Sequence, residues 1–91
     1  MSHAAVLIPG LDRIAGAEQQ AIQIVKGLRR RGWRVTMVVL SGEGEQAVND
    51  LRDNGVGFLS LGMRKGLADP SGWIRFNRWL WRERPDVVHA H

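Results

Sequence analysis

At 91 residues, with 44% hydrophobic residues and no cysteine, the chain has room for one small globular domain but not two, and it excludes disulfide and thiolate chemistry. Its net charge of +4, carried by eleven arginines and two lysines against nine acids, suits nucleic acid, anionic lipid or phosphorylated substrates, and equally a solvated basic surface. No apolar stretch reaches the ~20 residues of a membrane span, and Met1-Ser2-His3-Ala4 does not read as a signal peptide, so a cytoplasmic location is expected, either free or peripheral to the inner face of the membrane.

Ala4 to Ile8 is a short apolar run ended by Pro9-Gly10, the pattern of a buried parallel strand followed by a turn. From Ala17 the period becomes helical: Ala17, Ala21, Ile24, Val25 and Leu28 share one stripe, with Gln19, Gln23, Lys26 and Arg30 opposite. Arg29-Arg30-Arg31 complement the helix dipole in the last turn, and Gly32 is placed to supply a left-handed cap. Val35 to Leu40 is a second buried strand. After the loop Ser41-Gly42-Glu43-Gly44, Glu45 to Asn54 reads as a short helix closed by Gly55. Val56 to Leu61 is a third strand, weakened by Gly57 and therefore nearer an edge. Asp69-Pro70 is a helix start, with aspartate as N-cap and proline in the first turn, and this helix runs to about Glu83 because Pro85 stops it. Asp86 to His91 is a fourth strand.

Strands alternating with helices predict an α/β fold: a half-Rossmann, three-layer sandwich over residues 1–91, with about four parallel strands in the order 3-2-1-4 and helices on both faces. In such a sheet a ligand binds beyond the carboxyl ends of the strands, where the strand order reverses between the first and the fourth. The loop from Pro9 to Gly16 and the segment His89-Ala90-His91 are expected to meet there. Gly16, before Ala17 and Glu18, lets a phosphate approach the backbone N–H groups of a helix N-terminus, although a plain strand-to-helix turn explains the spacing equally well. The loop matches neither the G-x-G-x-x-G dinucleotide pattern nor the Gly-Lys-Ser/Thr of a P-loop, which removes most support for dehydrogenase and NTPase chemistry.

His89 and His91, two apart on a strand, share one face. They suit hydrogen bonding to a sugar hydroxyl or a phosphate, or His91 is a solvated terminus. A metal is not expected, because zinc usually takes three or more protein ligands and His3 is at the far end of the first strand. In the helix before Pro85, Trp73, Ile74, Phe76, Leu80 and Trp81 form a broad apolar arc opposite Arg75, Arg78 and Arg82, with Trp79 outside it. Such a helix packs on the sheet or lies on a membrane, and the outlying Trp79 is the feature that speaks for a membrane or a protein partner.

Val6-Leu7-Ile8-Pro9-Gly10-Leu11-Asp12-Arg13, Gly16-Ala17-Glu18, Leu28-Arg29-Arg30-Arg31-Gly32, Leu61-Gly62-Met63-Arg64 and Arg82-Glu83-Arg84-Pro85-Asp86-Val87-Val88-His89-Ala90-His91 together resemble the start of the family 4 (group 1) GT-B glycosyltransferases. The resemblance spans nearly the whole chain, and its last segment is the most specific. It implies the N-terminal, acceptor-side portion of a retaining enzyme that transfers a sugar from a nucleotide-sugar donor to an acceptor without a metal or other cofactor. It further implies that Ala15 and Gly16 approach the donor diphosphate or the transferred sugar, that His91 contacts the sugar in the reaction centre, and that His89 supports it structurally. The family usually has Gly-Gly before Ala-Glu, whereas Ala15-Gly16 stands here, and the extra methyl would hinder close phosphate approach.

The resemblance does not extend to the family's donor-binding domain, with its paired glutamates for the nucleotide sugar, so these 91 residues alone are expected to be inactive. The alternative is a small α/β interaction module that binds a protein or membrane surface through its basic Trp-containing helix. The fourth strand would be an exposed edge able to pair with another copy. Nucleic-acid binding is not expected, since no RNA-binding aromatic motif or helix-turn-helix signature is present.

Overall fold

The computed structural model describes residues 2–10, 16–42, 44–63 and 70–90, and structural statements below concern these residues. The elements are β1 (His3–Ile8), α1 (Gly16–Arg30), β2 (Arg34–Val39), α2 (Glu45–Asp53), β3 (Gly57–Ser60), α3 (Pro70–Glu83) and β4 (Val87–Ala90). All strand pairings are parallel, in the order β3-β2-β1-β4, as expected from the alternation of strands and helices. Asp69, expected as the N-cap of α3, lies outside the described residues.

Period-two alternation sorts the sheet's side chains into two layers. Val6, Ile8, Val35, Met37 and Val39 pack with Ala21, Ile22 and Val25 of α1, Leu51 of α2, and Val56. Ala5 and Val38 point the other way and pack with Leu61, Met63, Phe76 and Trp79 beneath α3. Lys26 and Asp50 form an ion pair joining α1 to α2.

Both glycine stops form as expected. Gly32 has φ of 92°, and the helix end closes through Trp33 N–H to Leu28 C=O and Gly32 N–H to Arg29 C=O, each 3.1 Å. Gly55, with φ of 76°, closes α2 in the same way through Val56 N–H to Leu51 C=O and its own N–H to Arg52 C=O, each 2.9 Å. This double bond pattern satisfies carbonyls that a helix end otherwise leaves unpaired, and it needs the left-handed backbone that glycine adopts without strain.

Two expectations about helix faces are corrected. On α1 the buried stripe is Ala21, Ile22 and Val25, while Ile24 is 41% exposed. On α3 the buried positions are Gly72, Phe76 and Trp79, flanked by half-buried Trp73 and Leu80, whereas Ile74 and Trp81 are 55% and 74% exposed. Trp79, expected outside the apolar arc, is in the core, stacked on Phe76 at a centroid separation of 6.2 Å and edge-on to His3 at 5.7 Å. Helical periodicity fixes which residues share a face but not how the helix is rolled on its support. Here Met63 packs against Gly72, where any side chain would collide with it, and this close approach turns the Phe76–Trp79 side inward.

Candidate functional site

The sheet brings the two ends of the sequence together. β1 and β4 pair with Leu7 opposite Ala90 and Val6 opposite His89. Pro9-Gly10 therefore leave the carboxyl end of β1 alongside the end of β4, at the place where the strand order reverses. The β1–β4 pair is clamped at its other end: His3 N–H donates to Asp86 Oδ2 and Asp86 N–H to His3 C=O, both at 2.8 Å. This reciprocal pair sets the register of β4 and hence the height at which His89 and Ala90 stand.

Gly16 opens α1, and with it the helix's unpaired backbone donors. Glu18 occupies the first turn, where its carboxylate favours the positive helix end and would repel a phosphate approaching the same donors. His89 shares the α1 face of the sheet with Val6 and is exposed. Ala15 and His91, the other two residues singled out in the sequence, lie outside the described residues, as does the loop 11–15 that joins β1 to α1.

The carboxyl edge is also shaped by the segment after β3. Leu61 N–H donates to Val39 C=O at 2.9 Å and Met63 N–H to Leu40 C=O at 2.7 Å, so the chain runs on along the end of β2. Between them Gly62 has φ of 63°, and Arg75 Nη1 donates to Leu61 C=O at 2.9 Å. Leu61 and Met63 are both buried, which gives this stretch of the sequence a packing role. Among the described residues, no group of three or more His, Asp or Glu is placed to hold a metal ion. None of the helices there is long and apolar enough to cross a membrane.

One histidine that the sequence left without a role is buried at the opposite edge. His3 is 5% exposed; its Nε2 shares a 3.0 Å hydrogen bond with Thr36 Oγ1, while Nδ1 has no hydrogen-bond partner among the described residues. Burial, reinforced by the Arg34 guanidinium, lowers its pKa from the usual 6.5, against opposing contributions from the Glu83 and Asp86 carboxylates and the Glu83 backbone. The neutral ring is thus favoured in the fold, and the unfolded chain takes up the proton first. Stability from this residue is complete above pH 6.5 and is lost as the pH falls through that value towards the lower folded-state pKa. Urea midpoints measured across this range should drop on acidification in the natural chain and drop less in His3→Gln. Equal slopes in the two proteins would remove His3 as the cause.

Sequence reasoning did not find the contact of Arg84 with Trp81. Arg84 has a left-handed backbone, φ 44°, and its guanidinium lies 5.6 Å from the Trp81 ring centroid. The available signal was an arginine three residues after a tryptophan just before a proline, where the helix has to end.

The family model described as glycosyl transferase 4-like domain matches residues 15–91. No curated protein and no solved structure matches the chain.

Proposed function

The chain belongs to the glycosyl transferase 4-like domain family, and from that membership we propose that it forms the acceptor-side portion of a retaining GT-B enzyme using a nucleotide-sugar donor. The observation that carries this reading is the parallel pairing of Leu7 with Ala90, which aligns the exit of β1 and the end of β4 at the reversal of strand order. Backbone N–H groups at Ala15 and Gly16 would face the donor diphosphate, His91 would hydrogen-bond the transferred sugar, and His89 would hold the strand that presents it. Imidazole suits that role because it donates or accepts near neutral pH. No metal or other cofactor enters this reading, and the nucleotide sugar is a co-substrate. A second domain facing this edge would bind the nucleotide.

The 91 residues alone are proposed to be inactive, since the helix end that opens α1 beside the β1–β4 reversal already carries Glu18 against an approaching phosphate. Calorimetric titration of the chain with UDP, GDP and their sugar conjugates should give no binding heat. Micromolar binding would overturn the proposed inactivity. In an enzyme carrying both domains, His91→Ala should lower kcat/KM by 100-fold or more, about 2.7 kcal/mol of transition-state stabilisation. Retention of the anomeric configuration should be visible by proton NMR of the product, and an inverted product would contradict the assigned mechanism.

All four residues of β4 are exposed, and its outer edge pairs with no described strand. We propose that this edge pairs with a second copy of the isolated chain, because unpaired strand edges invite pairing. Sedimentation of the calorimetric samples should show dimers at high concentration, and a monomer throughout would remove this proposal.

A further inference from the structure

The outer surface of α3 combines apolar exposure with uncompensated positive charge. Ile74 and Trp81 are seven residues apart, two turns along one stripe, and face away from the sheet with exposures of 55% and 74%. Beside them stand the exposed Arg78 and Arg82, and Arg84 lies over the Trp81 ring. The helix has a single acid, Glu83, and that carboxylate is taken up by Arg34 at 3.3 Å. The outward face therefore carries no negative charge of its own helix to balance three arginines.

We propose that this face docks on an anionic phospholipid surface, with Trp81 and Ile74 entering the headgroup region and Arg78, Arg82 and Arg84 contacting lipid phosphates. Three considerations select this occupant. Arginine stems can lie along an apolar surface while the guanidinium stays at the phosphates, and indole suits the membrane interface. Two apolar side chains fall well short of the roughly 800 Å² per partner of a stable protein interface, whereas lipid binding adds modest apolar burial to charge attraction. A second copy docked through the same face would set arginines against arginines, which disfavours a symmetric dimer here. The face belongs to α3, which covers the opposite side of the sheet from α1, so docking leaves the carboxyl edge of the strands accessible. This assignment does not depend on the proposed sugar transfer.

Flotation of the 91-residue chain with vesicles tests it. Vesicles of phosphatidylcholine with 30% phosphatidylglycerol should carry the chain at low salt and pure phosphatidylcholine should not, as anionic headgroups supply the attraction. Each of Arg78→Gln and Arg82→Gln should weaken partitioning about five-fold, and Trp81→Ala several-fold, all with unchanged circular dichroism. The double variant R30Q/R31Q, which removes equal charge from the end of α1, should retain binding, as should Ile24→Ser, which alters an exposed apolar residue on α1. Equal losses from the two arginine pairs would reduce the effect to net charge and overturn the proposal. So would absence of binding to anionic vesicles, or capture of an acidic protein through this face without vesicle binding.

Discussion

Replacing Trp79 with alanine is expected to destabilise the fold by about 3–5 kcal/mol, while Trp81→Ala should cost less than about 1 kcal/mol. Trp79 is 6% exposed, stacks on Phe76 and meets the edge of His3, whereas Trp81 is 74% exposed and touches Arg84 from the solvent side. Removing the first leaves a cavity between α3 and the centre of the sheet, because Ala5 and Val38 are too short to refill it. Removing the second gives up one exposed cation–π contact. For a domain of this size the larger loss is a substantial part of the ~5–15 kcal/mol that holds a typical fold together. Urea denaturation of the two variants measures the difference directly. A reversed ranking would mean that α3 is rolled the other way on the sheet.

Gly72→Ala should destabilise by about 1–3 kcal/mol even though alanine is the better helix former by about 1 kcal/mol. A methyl group at this position would run into Cγ and Sδ of Met63, a side chain that is itself buried. The strain should therefore reside in one pair. Shortening the partner in the double variant G72A/M63A should recover part of the loss relative to the sum of the single changes, giving a coupling energy between adjacent residues. Strict additivity in equilibrium unfolding would show that Met63 is not what makes Gly72 necessary. The experiment also tests the roll of α3, because the close approach at Gly72 is what admits Phe76 and Trp79 to the interior.

The candidate site was legible in part. Pro9-Gly10 ending an apolar run, and a histidine-bearing segment ending another, are local signals. Their meeting follows from the strand order, which the alternation of strands and helices and the right-handedness of crossovers predict. The role of His3 was not legible, since a histidine at the start of a strand looks the same whether it faces water or, as here, the space between Thr36 and Trp79. The Asp86 clamp on β1 was hidden for a similar reason: it joins residues 83 apart in the chain.

The amino-acid sequence by itself determined the number, type and order of the elements, because these depend on short-range properties: apolar runs and periods, proline before β4, and glycines where helices must end. It also carried the family membership, since the segments from Gly16-Ala17-Glu18 to the end of β4 follow one another in order within the matched residues 15–91. Only the tertiary structure decided which aromatic residues of α3 are core and which are surface. A helix wheel spaces side chains by angle but has no reference direction, and that direction comes from the neighbour that allows the closest approach. Met63 against Gly72 supplies it, sending Trp79 into the core and leaving Trp81 and its arginines facing outward.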